Sequence, residues 1–170
     1  MTADSPQPPA TAAVVICAYT ERRWELLAAA LASVATQTVA PAETLLVIDH
    51  NDALLERAQR EFQGVTVIAN AHERGEAGVR NTSIDHATAE IIAFFDDDAV
   101  ADPAWLERLL AAFAEPSTIG AGGALRPIWK APRPRWFPDE FLWVVGCSHS
   151  GMPTTIEPVR NVIGANMAFR

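Results

Sequence analysis

Apolar and polar residues fall into blocks along this chain, and the blocks alternate between two periods. Ala13 to Tyr19 is apolar almost throughout, as a strand buried on both faces of a parallel sheet should be. Thr20 or Glu21 then opens a segment to about Thr36. Within it Leu27, Leu31 and Val34 recur at helical spacing, widened by Leu26 and Ala30, and Pro41 marks the following loop. Thr44 to Ile48 reads as a second strand that ends in Asp49-His50-Asn51-Asp52. Leu54, Leu55, Ala58 and Phe62 describe an amphipathic helix, and Val65 to Ile68 a short third strand. A glycine-punctuated turn from Gly75 to Gly78 leads into a helix over about Ala77 to Thr88, with Ile84, Ala87 and Thr88 facing inward. The fourth strand, Ile91-Ile92-Ala93-Phe94-Phe95, runs directly into Asp96-Asp97-Asp98. Asp102 then caps, and Pro103 starts, a helix carrying Trp105, Leu106, Leu109, Leu110 and Phe113. Trp24 and Trp105 are expected to pack at helix starts.

Strands that alternate with helices at this spacing predict an α/β, Rossmann-like, mostly parallel sheet with helices on both faces. Crossovers of one hand bring the ends of strands one, two and four to the same edge. That edge gathers Tyr19-Thr20-Glu21-Arg22, Asp49-His50-Asn51 and Asp96-Asp97-Asp98 around one cleft, where open α/β sheets bind ligands. Residues 1–12, with Pro6, Pro8 and Pro9, read as a flexible tail, and 13–125 as the α/β domain. After Ile119 the pattern breaks. Gly120, Gly122 and Gly123 flank a strand that reaches Leu125. Prolines at 127, 132, 134 and 138 then exclude one regular element and predict either a loop over the cleft or an exposed lip. Leu142 to Cys147 and Val159 to Ile163 read as short strands at the sheet margin.

Composition narrows the functional classes. At 49% hydrophobic and 20% charged over 170 residues, the chain builds a real core rather than a disordered acidic tail. A formal net charge of −8 argues against a nucleic-acid partner, and an acidic protein that takes a nucleoside diphosphate needs a cation to mediate. Two cysteines, Cys17 and Cys147, do not make a secretory scaffold. Cys147 and His149 have no second pair at zinc spacing. No apolar run reaches membrane-spanning length, which leaves room for a peripheral membrane role.

The three acids carry the candidate chemistry. Adjacent carboxylates repel one another and favour a cation, and Asp96 and Asp98 are hard oxygen ligands suited to Mg²⁺ or Mn²⁺. The competing reading is a solvated strand-to-helix turn with one Asp as a cap. The loop after the first strand lacks G-x-G-x-x-G, and it lacks the G-K-[ST] of a phosphate loop. A lone Asp after a strand, such as Asp49, can hydrogen-bond a base or a ribose hydroxyl. Trp129, Trp136 and Trp143 lie among prolines and arginines, where they either stack on a sugar or acceptor or simply cover a loop. Arg133 and Arg135 either meet an anionic lipid-linked acceptor or belong to a solvated loop.

In order and spacing, Asp49, the run Gly75-Glu76-Ala77-Gly78-Val79-Arg80-Asn81 and the strand end Phe94-Phe95-Asp96-Asp97-Asp98 resemble the nucleotide-binding half of a family 2 glycosyltransferase of the inverting GT-A group. The resemblance extends over Leu31-Ala32-Ser33-Val34-Ala35-Thr36-Gln37 and Gly164-Ala165-Asn166-Met167-Ala168-Phe169-Arg170. The Trp136 to Arg170 region resembles bacterial cell-surface or polysaccharide glycosyltransferases. It implies that Asp96 and Asp98 are the two acids of a D-x-D motif. Asp98 would coordinate a divalent cation, Mn²⁺ or Mg²⁺, on the donor diphosphate. Asp96 would lie near the ribose or share that cation, and Asp97 would fill the variable position and face away. Asp49 would recognise the base of a UDP-sugar. Thr20, Glu21 and Arg22 would line the nucleoside end, and Arg80 would lie near the diphosphate or ribose. It further implies a saccharide or lipid-linked hydroxyl acceptor, a cytoplasmic enzyme with room for association at the inner face of the membrane, and residues 126–170 as the start of an acceptor-side region. The chain stops in what reads as domain interior. The general base, for which Asp139, Glu140 and Glu157 offer no matching context, is therefore expected beyond Arg170. Other readings stay open. One is a non-catalytic nucleotide-sugar-binding module. A nucleotidylyltransferase-like enzyme would want a glycine- and arginine-rich first loop, and an aspartyl-phosphate hydrolase would want an Asp where Tyr19-Thr20 stand.

Overall fold

The computed structural model describes residues 10–170. The tail expected over 1–12 lies outside the described residues for positions 1–9. Its last residues are tied down. Thr11 accepts from the Ile91 amide at 3.0 Å through its carbonyl and from the Glu90 amide at 3.2 Å through Oγ1.

Four strands run parallel: β1 (Ala12–Ala18), β2 (Glu43–Ile48), β3 (Thr66–Ala69) and β4 (Ile91–Asp96). Two more, β5 (Gly120–Gly122) and β6 (Asn166–Phe169), complete a six-stranded sheet in the order β3-β2-β1-β4-β6-β5, with β6 antiparallel to both of its neighbours. The mostly parallel α/β sheet read from the sequence is the observed architecture. The helices are α1 (Trp24–Ala35), α2 (Asp52–Glu61), α3 (Glu76–His86) and α4 (Trp105–Ala111).

Strand alternation sorts the core onto two faces. Val14, Ile16, Leu46, Ile48, Ala93 and Phe95 pack with α1, α2 and α4. Val15, Leu45, Val47, Phe94 and Met167 pack with Val79 of α3. Helices thus cover both faces, which is why the central strands are apolar at every position. Trp24 and Trp105 are buried at the starts of their helices, Trp24 stacked on Phe62 with ring centroids 4.6 Å apart.

Several sequence expectations need correction. Leu142 to Cys147 is no strand. Asp139–Val145 forms a 3-10 helix that ends where Gly146 turns left-handed at φ 71°. Val159 to Ile163 is irregular, and the marginal strand is β6 instead. β5 ends at Gly122, short of Leu125. In α3 the inward residues are Gly78, Val79, Thr82 and Ser83, and Ile84 is exposed. The physical reason is the close approach of Gly78 to the preceding loop, which fixes the rotation of the helix.

β6 is joined to the helical layer by a buried polar contact. The Trp105 indole donates to Asn166 Oδ1 at 2.8 Å, and Asn166 Nδ2 donates to the Ala124 carbonyl at 3.3 Å. A buried indole N–H without a partner would cost about 1–3 kcal/mol, so this pair helps fix the position of the returning chain.

Candidate functional site

The parallel register places Cys17 beside Asp96 and Ala18 beside Ile48, so β1, β2 and β4 end on one edge of the sheet. A cleft of about 480 Å³ opens there. Its walls include Tyr19 and Arg23 from the end of β1 and the turn after it, Asp49 from β2, Arg80 from α3, and Asp96, Asp97 and Asp98 from β4. A cleft of this size suits a small-molecule ligand. Of the residues singled out in the sequence, Asp49, Arg80, Asp96 and Asp98 converge on it. Thr20, Glu21 and Arg22 lie just outside its walls. Thr20 caps the 3-10 turn Glu21–Arg23 by accepting from the Arg22 amide at 3.4 Å. Glu21 accepts from Asn51 Nδ2 at 3.1 Å, and Arg22 is exposed.

Asp49 is held from two sides. Asn70 Nδ2 donates to one carboxylate oxygen at 2.8 Å, and the Gly75 amide donates to the other at 3.0 Å. Gly75 sits at φ 117°, a conformation that excludes a side chain and lets its amide reach Asp49. Asn70 in turn accepts from Thr82 Oγ1 at 2.8 Å and donates to the Glu73 carbonyl at 3.0 Å. Asn70 was not visible as a site residue in the sequence. Nothing but its place after β3 distinguishes it there.

Arg80, one turn into α3, pairs with Glu76 and lies over the Phe94 ring with 5.5 Å to its centroid. Gly164 returns to the same place, where a Cβ added to it would come within 3.1 Å of the Arg80 guanidinium.

The three acids diverge. Asp96, the last residue of β4, is exposed to the cleft on the α3 side. Desolvation raises its carboxyl above the ordinary range, helped by repulsion from Asp98, Glu76 and Asp97 and opposed by Arg80. Asp97, expected to face away from the site, turns into the protein and is 4% exposed. Its Oδ1 accepts from Arg23 Nη1 at 2.9 Å, and its Oδ2 is buried without a partner. Burial raises Asp97 as well. The Arg23 contact pulls it back down and raises Arg23 in turn, and for Asp97 burial outweighs the attraction. Asp98 is exposed, with Oδ2 at 3.3 Å from the same Arg23 nitrogen. Among the described residues no three His, Cys, Asp or Glu side chains form a ready-made metal cage. Two solvent-reaching carboxylates fit Mg²⁺ or Mn²⁺, which take few protein ligands and fill the rest from water and substrate phosphate.

The segment after the acids is pinned to α1. Ser33 Oγ accepts from the Ala101 amide at 3.0 Å. Buried Gln37 donates to the Asp102 carbonyl at 2.9 Å and accepts from the Leu106 amide at 2.9 Å. These two side chains, read in the sequence as part of the stretch Leu31 to Gln37 that carries the resemblance, tie the segment after the acids to the end of α1.

Cys17 sits at the cleft floor. Burial pushes its thiol up to about 12, from 9.0 for a free thiol. Its contribution to stability is therefore intact below about 9 and declines as pH rises towards 12, because the unfolded chain loses the proton first. Alkylation by iodoacetamide at pH 8, followed by peptide mass spectrometry, should label Cys17 at least about a hundredfold more slowly in the native protein than in denaturant.

Trp129, Trp136 and Trp143 do not line the cleft. Trp129 and Trp136 gather around Phe137, with centroids 5.5 and 5.8 Å from it, and Arg133 donates to the Phe137 carbonyl at 2.8 Å. This proline-rich segment is thus a self-packed aromatic loop, with Trp136 and Trp143 largely in solvent.

The family model for glycosyl transferase family 2 matches residues 13–170. The chain belongs to that family. It is 35% identical over 161 residues to glucosyl-dolichyl phosphate glucuronosyltransferase of Haloferax volcanii, covering 92% of this chain and 51% of the relative. It is 30% identical over 148 residues to the succinoglycan biosynthesis protein ExoM of Rhizobium meliloti, covering 81% of this chain and 44% of the relative. A mannosyltransferase from Pyrobaculum calidifontis, solved with GDP-Man and Mn²⁺, superposes with a TM-score of 0.65 at 20% identity over 98% of this chain and 46% of its own. That likeness confirms the GT-A fold expected from the sequence. This family 2 chain spans about half the length of the curated relatives it matches.

Proposed function

We propose that the full-length protein is an inverting glycosyltransferase that moves a sugar from a UDP-linked donor to a hydroxyl acceptor, with Asp96 and Asp98 as its D-x-D acids. The observation that carries this reading is the convergence of Asp49, Arg80, Asp96 and Asp98 on one cleft at the carboxyl edge of the parallel strands. Membership of the family supports it, and so does the fold shared with a mannosyltransferase solved with a nucleotide sugar and Mn²⁺.

In this reading Asp49, oriented by Asn70 and the Gly75 amide, accepts an N–H from the base. Thr20, Glu21 and Arg22 border the nucleoside end. Arg80 leaves Glu76 for the diphosphate or ribose, and Asp96 serves the ribose or shares the cation with Asp98. A divalent cation held by Asp98, with or without Asp96, would neutralise charge on the leaving nucleoside diphosphate. Inversion also requires a carboxylate that takes the acceptor proton on the opposite face of the sugar. Asp139, Glu140 and Glu157 do not line the cleft, and none of them is assigned that role. A saccharide or lipid-linked acceptor fits the relatives named for dolichyl phosphate and succinoglycan. Action at the inner face of a membrane fits such an acceptor. No helix among the described residues is long and apolar enough to cross a membrane.

Calorimetric titration tests this reading. UDP is expected to bind at least about tenfold more tightly with Mn²⁺ than with EDTA, the dependence expected when substrate phosphate supplies part of the metal's coordination. It is also expected to bind more tightly than GDP. Equal affinity with and without metal would sink the cation assignment, and tighter GDP binding would sink the choice of base.

A further inference from the structure

The ion pairing around the three acids is lopsided, and the asymmetry has a functional consequence that rests on the cation reading above. We infer that Arg23 is the resident counter-cation of the metal site, bound to Asp98 in the donor-free protein and displaced from it when a divalent cation enters.

One nitrogen of Arg23 serves two carboxylates, at 2.9 Å from Asp97 Oδ1 and 3.3 Å from Asp98 Oδ2. The two partners differ in freedom. The Asp97 side chain is 6% exposed and cannot leave, whereas the Asp98 side chain is 45% exposed and can rotate. Among the described residues no other side chain donates to Asp97, and its Oδ2 is buried and unpartnered. Removing Arg23 from it would strand a buried charge, which is far more costly than exposing Asp98 to water. The guanidinium therefore stays on Asp97, and Asp98 is the exchangeable partner.

The Arg23 backbone is equally fixed. It closes the 3-10 turn capped by Thr20 and precedes Trp24, which is clamped between the Phe62 ring and the Arg57 guanidinium, 3.7 Å from the Trp24 centroid. Its side chain also lies over Tyr19, 5.6 Å from the ring centroid. A divalent cation at Asp98 consequently forms beside a guanidinium that cannot withdraw. Like charges so placed repel, and the repulsion lowers the affinity of the donor-free site for metal. The negative charge of a nucleoside diphosphate relieves that repulsion. Metal and donor then bind with positive coupling, and the cleft takes up little cation before the donor is present.

The test is Mn²⁺ binding followed by the electron paramagnetic resonance of free Mn²⁺, with and without UDP. Arg23→Met is expected to bind Mn²⁺ about tenfold more tightly than wild type without UDP, from removal of one nearby unit charge across a partly screened boundary. The ratio of Mn²⁺ affinities with and without UDP should shrink by a similar factor. A residue that merely supports the fold would weaken binding instead. Arg23→Gln keeps a hydrogen-bond donor for Asp97 without the charge, and it makes the same measurement should the methionine variant misfold. Unchanged or weaker Mn²⁺ binding in the folded neutral variants, while Asp98→Asn abolishes it, overturns the role of Arg23 and leaves the cation site standing. Absence of Mn²⁺ binding in wild type and variants alike, with UDP still bound, overturns both.

Discussion

Asp98→Asn is expected to remove the Mn²⁺-dependent part of UDP binding, at least about tenfold, while leaving the fold intact. The loss is large because this reading gives the cation two carboxylate ligands, Asp96 and Asp98, and a neutral amide oxygen is a much weaker ligand for a hard dication. The fold should survive because Asp98 is exposed and its ion-pair partner among the described residues, Arg23, keeps the shorter contact to Asp97. Exposed substitutions of this kind stay within about 0.5 kcal/mol, so the thermal midpoint should move by no more than about 2 °C. Calorimetry with UDP and Mn²⁺, paired with a thermal melt, reads both numbers. Asp96→Asn serves as the comparison. If Asp96 chiefly meets the ribose, its loss weakens UDP binding both in Mn²⁺ and in EDTA, whereas Asp98→Asn spares the EDTA value. Retention of metal dependence in Asp98→Asn would remove Asp98 from the cation site.

The reason Asp96 and Asp98 were legible in the sequence, and Arg23 was not, is geometric. Ile91 to Phe95 is apolar at every position because α1, α4 and α3 between them cover both faces of β4, and a doubly buried strand announces itself. The acids that follow must then leave the sheet at its carboxyl edge. Parallel order brings Asp49 to the same edge. Contacts at that edge follow from chain packing instead. The family resemblance makes Asp97 a spare position, yet the turn after β4 directs it inward against Arg23, 74 positions away in sequence. No periodicity encodes that pairing. β6 was missed for a related reason. Asn166 to Phe169 is too short to show a pattern, and it becomes a strand only by pairing antiparallel to β4 and β5. Conversely, Leu142 to Val145 has the apolar run of a strand, yet it lies in an exposed 3-10 helix between Pro138 and Gly146, joined to no strand of the sheet. The rotation of α3 was also beyond reach. Ile84 looks like the inward residue until Gly78 is seen pressed against the loop before the helix.

Gly78→Ala is expected to be the most destabilising single methyl that can be added to this site. A Cβ at Gly78 would lie 1.9 Å from the Glu73 carbonyl oxygen and 3.1 Å from Asn70 Nδ2. The first neighbour is backbone and cannot rotate aside. The second is the amide that orients Asp49. Relief requires α3 to lift from the loop over residues 70–75, which breaks the bonds from Asn70 to Asp49 and Glu73 and shifts the Gly75 amide. Overpacking against a movable side chain costs about 1–3 kcal/mol, and against fixed backbone about 3 kcal/mol or more is expected. For a chain of this size that corresponds to a fall of about 10 °C in thermal midpoint. UDP affinity should fall with it even where the variant remains folded, since Asp49 and Arg80 both move. Gly64→Ala separates steric from conformational cost. Gly64 has φ +72° with nothing within 4 Å of an added Cβ, so only backbone strain of about 1 kcal/mol applies. Thermal melts of the two variants should differ by at least about 5 °C, with UDP binding at 20 °C impaired only in Gly78→Ala. Equal melts would mean that the loop yields freely, and that the rotation of α3 is set by something other than the Gly78 contact.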